Sequence, residues 1–360
     1  MKKIRLKICD PNLGNKFYLG SFFLNILKKY YDVELTEDPD YVICNDASYD
    51  YLKYDCVRIL CIGENISPNF NLCDYAIGFD YLTFQDRYFR MPLYLTAQYY
   101  TEREQLLAAS LLQDPWLRGN PDFTKAKLFT SQDLAKKTAF CSFVYSNYLA
   151  SGERKKMFNL LSKYKRVDAG GAHLNNIGGP VESKLSFELK HKFSIAFENS
   201  SRSGYTTEKL INSLVARTIP IYWGNPDIAK EFNEQRFINC HAYKSFDEVA
   251  KRVMELDQDD ELYIKTLNEP VVAEGVDFAL LYEGLEKFLQ NIFDQPPREA
   301  KRRTINPVRA AILEANEKLA ARSAARKFLI RKFLAFFYKP LKRSAFLERL
   351  KQKVMAKRVR

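Results

Sequence analysis

The chain has 360 residues, 46% of them hydrophobic, which is enough for two domains with substantial cores. Its net charge of +12 is unevenly distributed. Residues 301–360 hold 19 Lys and Arg against 3 Asp and Glu, a net of +16, which leaves −4 for residues 1–300. This asymmetry argues against a nucleic-acid binder throughout and favours a catalytic or binding body with an electrostatic anchor.

Cysteine usage and hydropathy bear on where in the cell this protein is expected to be found. The seven cysteines form no C-x-x-C pair, and this odd number without a signal peptide fits a reducing environment. The first ten residues alternate charged and apolar side chains, so they predict a first strand and not an apolar leader. Since no uncharged apolar stretch reaches 18 residues, we expect no transmembrane helix.

The first hundred residues alternate between apolar runs and helix-like segments. Apolar residues spaced to share one face predict a helix over 16–31. Near-continuous apolar strands separated by helices or loops indicate a parallel sheet covered on both faces. The predicted strands are 4–9, 40–45, 57–62 and 75–79, and a helix with a turn-rich connector is predicted over 100–135.

A second alternating series begins near Lys137. Its predicted strands are 138–146, 166–171, 193–198 and 218–223, and its predicted helices are 151–164, 182–190, 207–217 and 276–293. We therefore expect an α/β protein with two Rossmann-like, doubly wound domains facing across a cleft, 1–135 and 136–297, before a basic tail, 298–360. Ligands of such sheets bind beyond the carboxyl ends of the strands and at helix N-termini.

The segment ENSSRSGYTTEK, residues 198–209, links strand 193–198 to helix 207–217. Thr206 or Thr207 is a candidate N-cap, and Lys209 lies in the first helical turn, where a cation faces the positive end of the helix dipole. That position becomes favourable when an anion binds there, because lysine and free backbone N–H groups both attract it. A diphosphate fits. The alternative is an ordinary surface lysine with Tyr205 merely packing beside it.

Two further charged residues occupy comparable positions. Arg154 lies in the first turns of helix 151–164. It is a candidate for a second phosphate ligand, and the alternative is a residue on a solvated helix face. Glu64, in CIGENISPNF, directly follows an apolar strand, which suits a general base or a helix or turn cap. The three histidines have no metal-ligand spacing, and the chain has no P-loop, G-x-S-x-G or zinc motif.

Taken together, these segments resemble the α-1,3/α-1,4-fucosyltransferases of glycosyltransferase family ten, in particular the bacterial members. The resemblance covers roughly residues 57–295 and is most specific in FSIAFENSSRSGYTTEKLINSLVARTIPIYWGNP, residues 193–226. The segments GENISPNF, DYAIGFD, CSFVYSNYLASGERKKMF and RVDAGG follow the family's order.

This resemblance implies a GT-B fold and inverting transfer of L-fucose from GDP-L-fucose. The implied acceptor is the 3-OH, or in some members the 4-OH, of N-acetylglucosamine or glucose in a lipopolysaccharide-type or N-acetyllactosamine glycan. The implied roles are general base for Glu64, diphosphate ligands for Arg154 and Lys209, and contacts around ribose, phosphate and fucose for Asn199, Tyr205 and Glu208. No metal cofactor is implied, because two cations can neutralise the leaving diphosphate; stimulation by a divalent cation stays open.

The chain also departs from some relatives. No heptad array precedes the tail, so we do not expect the repeat-mediated dimerisation of some bacterial members, and a homodimer stays open. The C-x-x-C pairs and the membrane stem of the animal enzymes are absent from the sequence.

The tail carries its own pattern. Leu329, Phe333, Phe336 and Phe337 share one helical face, with basic residues away from it, and Pro340 is predicted to break the helix before a second basic segment. Aromatic and basic amphipathicity is typical of an interfacial helix, in which each basic residue near an anionic leaflet contributes about 1 kcal/mol. A docking helix or partner interface is one alternative. Nucleic-acid binding is another, disfavoured because no base-stacking fold accompanies the charge.

We therefore expect a peripheral enzyme at the cytoplasmic face of the membrane, decorating lipid-linked glycan. Two alternatives remain open at this stage. One is a GT-B transferase that uses another sugar nucleotide, and the other is an inactive glycan-binding scaffold at the membrane.

Overall fold

The computed structural model describes residues 1–9, 19–46, 49–95, 128–147, 150, 152–304 and 306–341. The chain divides into two compact units, Met1–Arg302 and Arg303–Arg360. Most of the helix and connector predicted over 100–135 lies outside the described residues.

Six parallel strands form the first sheet, in the order β2-β1-β3-β4-β5-β6. The strands are β1 Lys2–Cys9, β2 Tyr31–Leu35, β3 Tyr41–Asn45, β4 Val57–Cys61, β5 Tyr75–Gly78 and β6 Tyr88–Arg90. Every residue of β4 and β5 is buried, as expected for parallel strands covered on both faces. All four predicted strands are confirmed, whereas β2 and β6 were not predicted.

Five parallel strands form the second sheet, in the order β11-β10-β9-β7-β8. The strands are β7 Ala139–Phe143, β8 Val167–Ala169, β9 His191–Phe197, β10 Ile219–Trp223 and β11 Ile238–Asn239. The four predicted strands correspond to β7 to β10, which confirms an α/β protein with two parallel sheets.

Helices connect and cover the strands. They are α1 Leu19–Leu27, α2 Ser131–Leu134, α3 Glu153–Leu161, α4 Lys184–Glu188, α5 Glu208–Val215, α6 Phe246–Gln258, α7 Asp260–Asn268, α8 Phe278–Asp294, α9 Pro297–Ala300 and α10 Pro307–Leu341. The helix predicted over 16–31 ends too late: α1 ends at Leu27, and Tyr31 is the buried first residue of β2.

Helix α8 belongs structurally to the first sheet, although it follows the second in sequence. Tyr31 donates a hydrogen bond to Asp294 at 2.7 Å, and Lys2 Nζ donates to the carbonyl of Phe293 at 2.7 Å. The apolar face of α8 shares one core cluster with strands β1, β3 and β4. The chain therefore returns to the first sheet after completing the second, while the boundaries 1–135 and 136–297 stay predictions.

The carboxyl edges of the two sheets face each other. The ring of Phe79, directly after β5, packs edge-to-face on Tyr205, after β9, with ring centres 4.9 Å apart. Arg90 at the end of β6 pairs with Glu231 after β10 through two hydrogen bonds of 2.7 and 3.1 Å. Loops from both sheets therefore meet where ligands of doubly wound folds bind.

The second unit contains the long helix α10. It is described as far as Leu341, one residue beyond Pro340, and the second basic segment lies outside the described residues, so the predicted break at Pro340 stays a prediction. Among the helices that the structure describes, none is long and apolar enough to cross a membrane. All seven cysteines are buried free thiols.

Candidate active site

The loop between β9 and α5 carries most of the predicted donor-binding residues. Gly204 sits at φ +79°, and a Cβ there would lie 2.5 Å from the carbonyl oxygen of Phe79. A side chain would therefore be both strained and obstructed, which explains glycine at this turn. The loop can pack directly against the first sheet for that reason.

Lys209, in the first turn of α5, is held by three oxygen atoms. Its ammonium lies 2.8 Å from Thr207 Oγ1, 3.1 Å from Glu198 Oε2 and 3.3 Å from Glu208 Oε1. Burial alone would lower the pKa of Lys209, but the Glu198 and Glu208 carboxylates outweigh it and raise the pKa above its ordinary value. The lysine is therefore a fixed cation, as its predicted role requires, and not an ordinary surface residue.

Glu198 is the partner that the sequence did not assign. It is fully buried at the end of β9 and accepts hydrogen bonds from the backbone N–H and the hydroxyl of Thr207. Thr207 is the N-cap residue of α5, but its side chain makes no capping bond because it bonds Glu198 instead. A buried acid nine residues before the helix cap thus fixes both the cap residue and Lys209.

Arg154 is buried, with 2% of its surface exposed, so the alternative of a solvated helix face is wrong. Its guanidinium donates to the carbonyl of Phe197 at 2.9 and 3.2 Å and to Asn199 Oδ1 at 2.8 Å. It also lies 4.1 Å from the ring centre of Tyr145, a favourable cation–π distance. The helix α3 thereby delivers a second cation to the carboxyl end of β9.

Tyr205 and Glu208 complete the donor side. Tyr205 is 2% exposed. Burial raises the pKa of its hydroxyl, and the nearby Glu198 charge raises it further, with a smaller contribution from Glu64. Burial favours the neutral form of Glu208, but Lys209 and Lys184 outweigh it and lower its pKa. The structure thus brings Arg154, Asn199, Tyr205, Glu208 and Lys209 together.

Glu64 lies on the opposite side, directly after β4. Its backbone N–H and that of Gly63 donate to Asp46 Oδ2 at 2.7 and 3.0 Å. The residue is exposed, and within the described part of the chain its carboxylate makes no hydrogen bond or ion pair. A carboxylate that is free and exposed at the carboxyl end of a strand has the features of a general base.

The two sides touch directly beside Glu64. Asn65 Nδ2 donates to Ser200 Oγ at 2.5 Å, joining the loop after β4 to the loop after β9. No group of three or more His, Cys, Asp or Glu side chains suited to a metal ion occurs among the described residues. On one side the site carries the cations of Arg154 and Lys209, with the Glu198 and Glu208 carboxylates paired to Lys209. On the other side it carries the Glu64 carboxylate, which makes no ion pair among the described residues.

Comparisons with known proteins identify the family. Residues 15–97 match the alpha-(1,3)-fucosyltransferase FucT N-terminal domain, and residues 134–268 match the C-terminal domain of glycosyltransferase family 10 (fucosyltransferase). A crystal structure of an alpha1,3-fucosyltransferase with GDP is 30% identical, covers 81% of this chain and 91% of its own, and superposes with a TM-score of 0.63. The chain belongs to glycosyltransferase family 10.

Other members of the family agree. The alpha-(1,3)-fucosyltransferase FucT of Helicobacter pylori is 36% identical over 274 residues, 71% of this chain and 57% of the relative. A crystal structure of an alpha1,3-fucosyltransferase with GDP-fucose covers 82% of this chain and 93% of its own at 30% identity, with a TM-score of 0.63. This chain spans about half the length of the curated relatives it matches.

The comparisons confirm the predicted family and the GT-B fold class. The match to the N-terminal family domain begins at residue 15, well before residue 57, where the resemblance in the sequence begins. Helix α1 and strands β2 and β3 therefore lie within the matched family domain as well.

Proposed function

We propose that this member of glycosyltransferase family 10 transfers L-fucose from GDP-L-fucose, with inversion, to the 3-OH or 4-OH of an N-acetylglucosamine or glucose unit. The observation that carries the proposal is the convergence of Arg154 and Lys209 at the carboxyl end of β9, opposite the free carboxylate of Glu64. Two fixed cations suit a diphosphate, and an unpaired carboxylate suits proton removal from a hydroxyl.

On the donor side, Lys209 and Arg154 would neutralise the charge that develops on the leaving GDP. A phosphate oxygen can replace the Glu208 contact of Lys209, which at 3.3 Å is the longest of its three. The Glu198 pair would remain and keep the ammonium in place. Glu208, once released, and Asn199 are then available to hydroxyl groups of the donor, beside the Tyr205 ring.

On the acceptor side, Glu64 would remove the proton from the attacking hydroxyl. That oxygen then forms a bond to the anomeric carbon of fucose on the face opposite the bond to GDP, which breaks as its electrons pass to the diphosphate. The attack inverts the anomeric configuration. Since two side-chain cations can stabilise the leaving group, we propose that the transfer requires no metal; undiminished turnover in EDTA is the expected result.

We further propose that the basic tail holds the enzyme on an anionic membrane surface at the cytoplasmic face, where lipid-linked glycans would serve as acceptors. The support is the net charge of +16 over residues 301–360 together with apolar residues exposed along α10. Leu319 and Leu329 are 62% and 65% exposed. The side chains of Phe333, Phe336 and Phe337 lie outside the described residues.

The test is to incubate the purified chain with N-acetyllactosamine and a panel of sugar nucleotides: GDP-L-fucose, GDP-mannose, UDP-galactose and UDP-N-acetylglucosamine. We expect transfer from GDP-L-fucose alone, with an α-linked product identified by NMR. Transfer from another donor would replace the substrate assignment. Binding of glycan without transfer from any donor would contradict catalysis altogether.

A further inference from the structure

Arg202 lies in the loop between β9 and α5, and its backbone is fixed to the second sheet. Its N–H donates to the carbonyl of Gly224 at 3.2 Å, and Ser201 Oγ donates to the same carbonyl at 2.7 Å. Two residues later, the N–H of Gly204 donates to Asn225 Oδ1 at 2.8 Å. The backbone that carries the Arg202 side chain is therefore held rigidly against the second sheet.

The Arg202 guanidinium crosses to the first sheet. Its Nη2 lies 2.7 and 2.8 Å from the two carboxylate oxygens of Asp80 and also donates to Ser67 Oγ. Its Nη1 donates to Asn65 Oδ1 at 3.5 Å, and Ser67 in turn donates to Asp80 at 3.2 Å. One side chain thus contacts both the loop after β4 and the loop after β5.

These contacts bracket the candidate base. On one side of the Glu64 segment, Asp46 of the first sheet accepts the N–H groups of Gly63 and Glu64. On the other side, the Asn65 side chain is bonded to the donor loop, to Ser200 and to Arg202. We propose that Arg202 is a positioning residue that sets the placement of Glu64 relative to the bound donor. This inference rests on the proposed function.

The contacts of Arg202 are not needed merely to hold the two sheets together. Arg90 and Glu231 already join the same two parts of the body, with side chains only 16% and 7% exposed against 30% and 15% for Arg202 and Asp80. The Arg90 pair makes no contact with residues 63–67 among the described interactions. Loss of Arg202 should therefore leave the body folded while releasing the segment that carries the base.

The experiment compares Arg202→Met with Lys230→Met. Lys230 is a matched control, since its ammonium contacts the loop after β5 through the Tyr81 ring at 4.5 Å but, within the described part of the chain, forms an ion pair with Asp227 alone. We expect Arg202→Met to lower kcat for fucose transfer by about 10- to 100-fold, because small displacements of a reacting group have effects of that order. Calorimetric GDP affinity should not change, and Lys230→Met should behave as wild type. Weakened GDP binding in Arg202→Met would make Arg202 a donor ligand and overturn the proposal.

Two further measurements separate this inference from the proposed function. Hydrogen exchange should become faster at residues 63–67 in Arg202→Met and stay unchanged in α5, whether or not the protein transfers fucose. Asp80→Asn should reproduce the loss of kcat, and the double variant should lose nothing more. Unchanged exchange at 63–67, or fully additive losses in the double variant, would contradict the positioning role. An inactive wild type would instead contradict the proposed function.

Discussion

On the side of the second sheet, the two cations of the candidate site are buried, Lys209 in ion pairs and Arg154 in hydrogen bonds, whereas on the side of the first sheet Glu64 is exposed with an unpaired carboxylate among the described residues. The donor side is thus assembled before a ligand arrives, and its geometry depends on ion pairs in a region of low dielectric. The base is free to take a proton, but its position depends on neighbours. Binding and chemistry should therefore respond separately to mutation.

Glu64→Gln should give the largest loss of turnover. A general base contributes roughly 10²–10⁴-fold, and glutamine keeps the size of the side chain while removing its basicity. Steady-state transfer to N-acetyllactosamine measures the effect, and Glu34→Gln on the exposed end of β2 is the control. Turnover close to wild type would place the base elsewhere.

Lys209→Met should cost about 2–4 kcal/mol of transition-state stabilisation, the range for loss of a charge-stabilising donor. The single variant also leaves Glu198 buried without its cation, which destabilises the fold. Combining Lys209→Met with Glu198→Gln removes both charges and should recover thermal stability but not turnover. Recovery of turnover in the double variant would show that Lys209 acts only through folding.

Lys137 lies at the C-terminal end of α5, the helix that carries Lys209, and it should make the stability of the fold depend on pH. Its ammonium donates to the carbonyl of Ala216 after α5 at 2.9 Å, and burial, with Arg217 adding to it, lowers its pKa from 10.5 to about 7. The unfolded chain therefore holds this proton up to a higher pH than the folded chain does. Stability should rise from pH 7 towards pH 10, by an amount on the order of a few kcal/mol.

Denaturant unfolding at several pH values measures this rise. The comparison is with Lys137→Met, because the difference between the two proteins cancels other titrating groups. The variant should lose the part of the slope that comes from Lys137. Identical slopes in both proteins would mean that Lys137 is not the group responsible.

Gly204→Ala should destabilise the body through strain and through the contact with Phe79. Gly275 is a matched control: it has the same φ of +79°, but a Cβ there meets nothing within 4 Å. A strained backbone position costs of the order of 1–3 kcal/mol, so both alanine variants should lose stability. Only Gly204→Ala should lose more stability than this strain alone accounts for, and only Gly204→Ala should also slow fucose transfer. Equal thermal shifts in the two variants would mean that the packing against Phe79 is unimportant.

Removal of the tail should have the smallest effect on chemistry. Arg302 still belongs to the body, since its N–H donates to Asp74 at 2.7 Å, so the truncation should follow Thr304. We expect unchanged transfer to a soluble acceptor and loss of sedimentation with anionic vesicles. Binding by the full chain should weaken with salt, because charges are screened over about 10 Å at 0.1 M. If the truncated protein is insoluble or inactive, the tail is part of the fold, and the proposal that it serves as a membrane anchor is contradicted.

The sequence predicted the buried strands and singled out Lys209 because both leave local signals, whereas Asn199, Tyr205 and Glu208 were assigned from the family resemblance. Strand β4 is an apolar run interrupted only by Arg58, and Lys209 follows a Ser/Gly-rich loop at a helix start. Strand β2 was missed because only its first residue is buried, so its apolar pattern is weak. Helices α6 and α7 drew no prediction although both follow capping residues, Ser245 and Asp259.

The supporting residues were missed for a different reason. Glu198, Asp46 and Arg202 act through partners up to 137 residues away in the chain, and no local pattern reveals such contacts. Glu198 alone had a detectable signal, since an acid at the end of a buried strand requires a cation or several donors. The return of α8 to the first sheet likewise depends on tertiary packing that its amphipathic pattern does not specify.

Calorimetric titration of GDP into wild type, Glu64→Gln and the Lys209→Met, Glu198→Gln double variant tests the division between binding and chemistry most directly. We predict that Glu64→Gln binds GDP with wild-type affinity although its turnover is strongly lowered, and that the double variant loses affinity while remaining folded. Loss of GDP binding in Glu64→Gln, or wild-type affinity in the double variant, would contradict the assignment of donor binding to one sheet and proton transfer to the other.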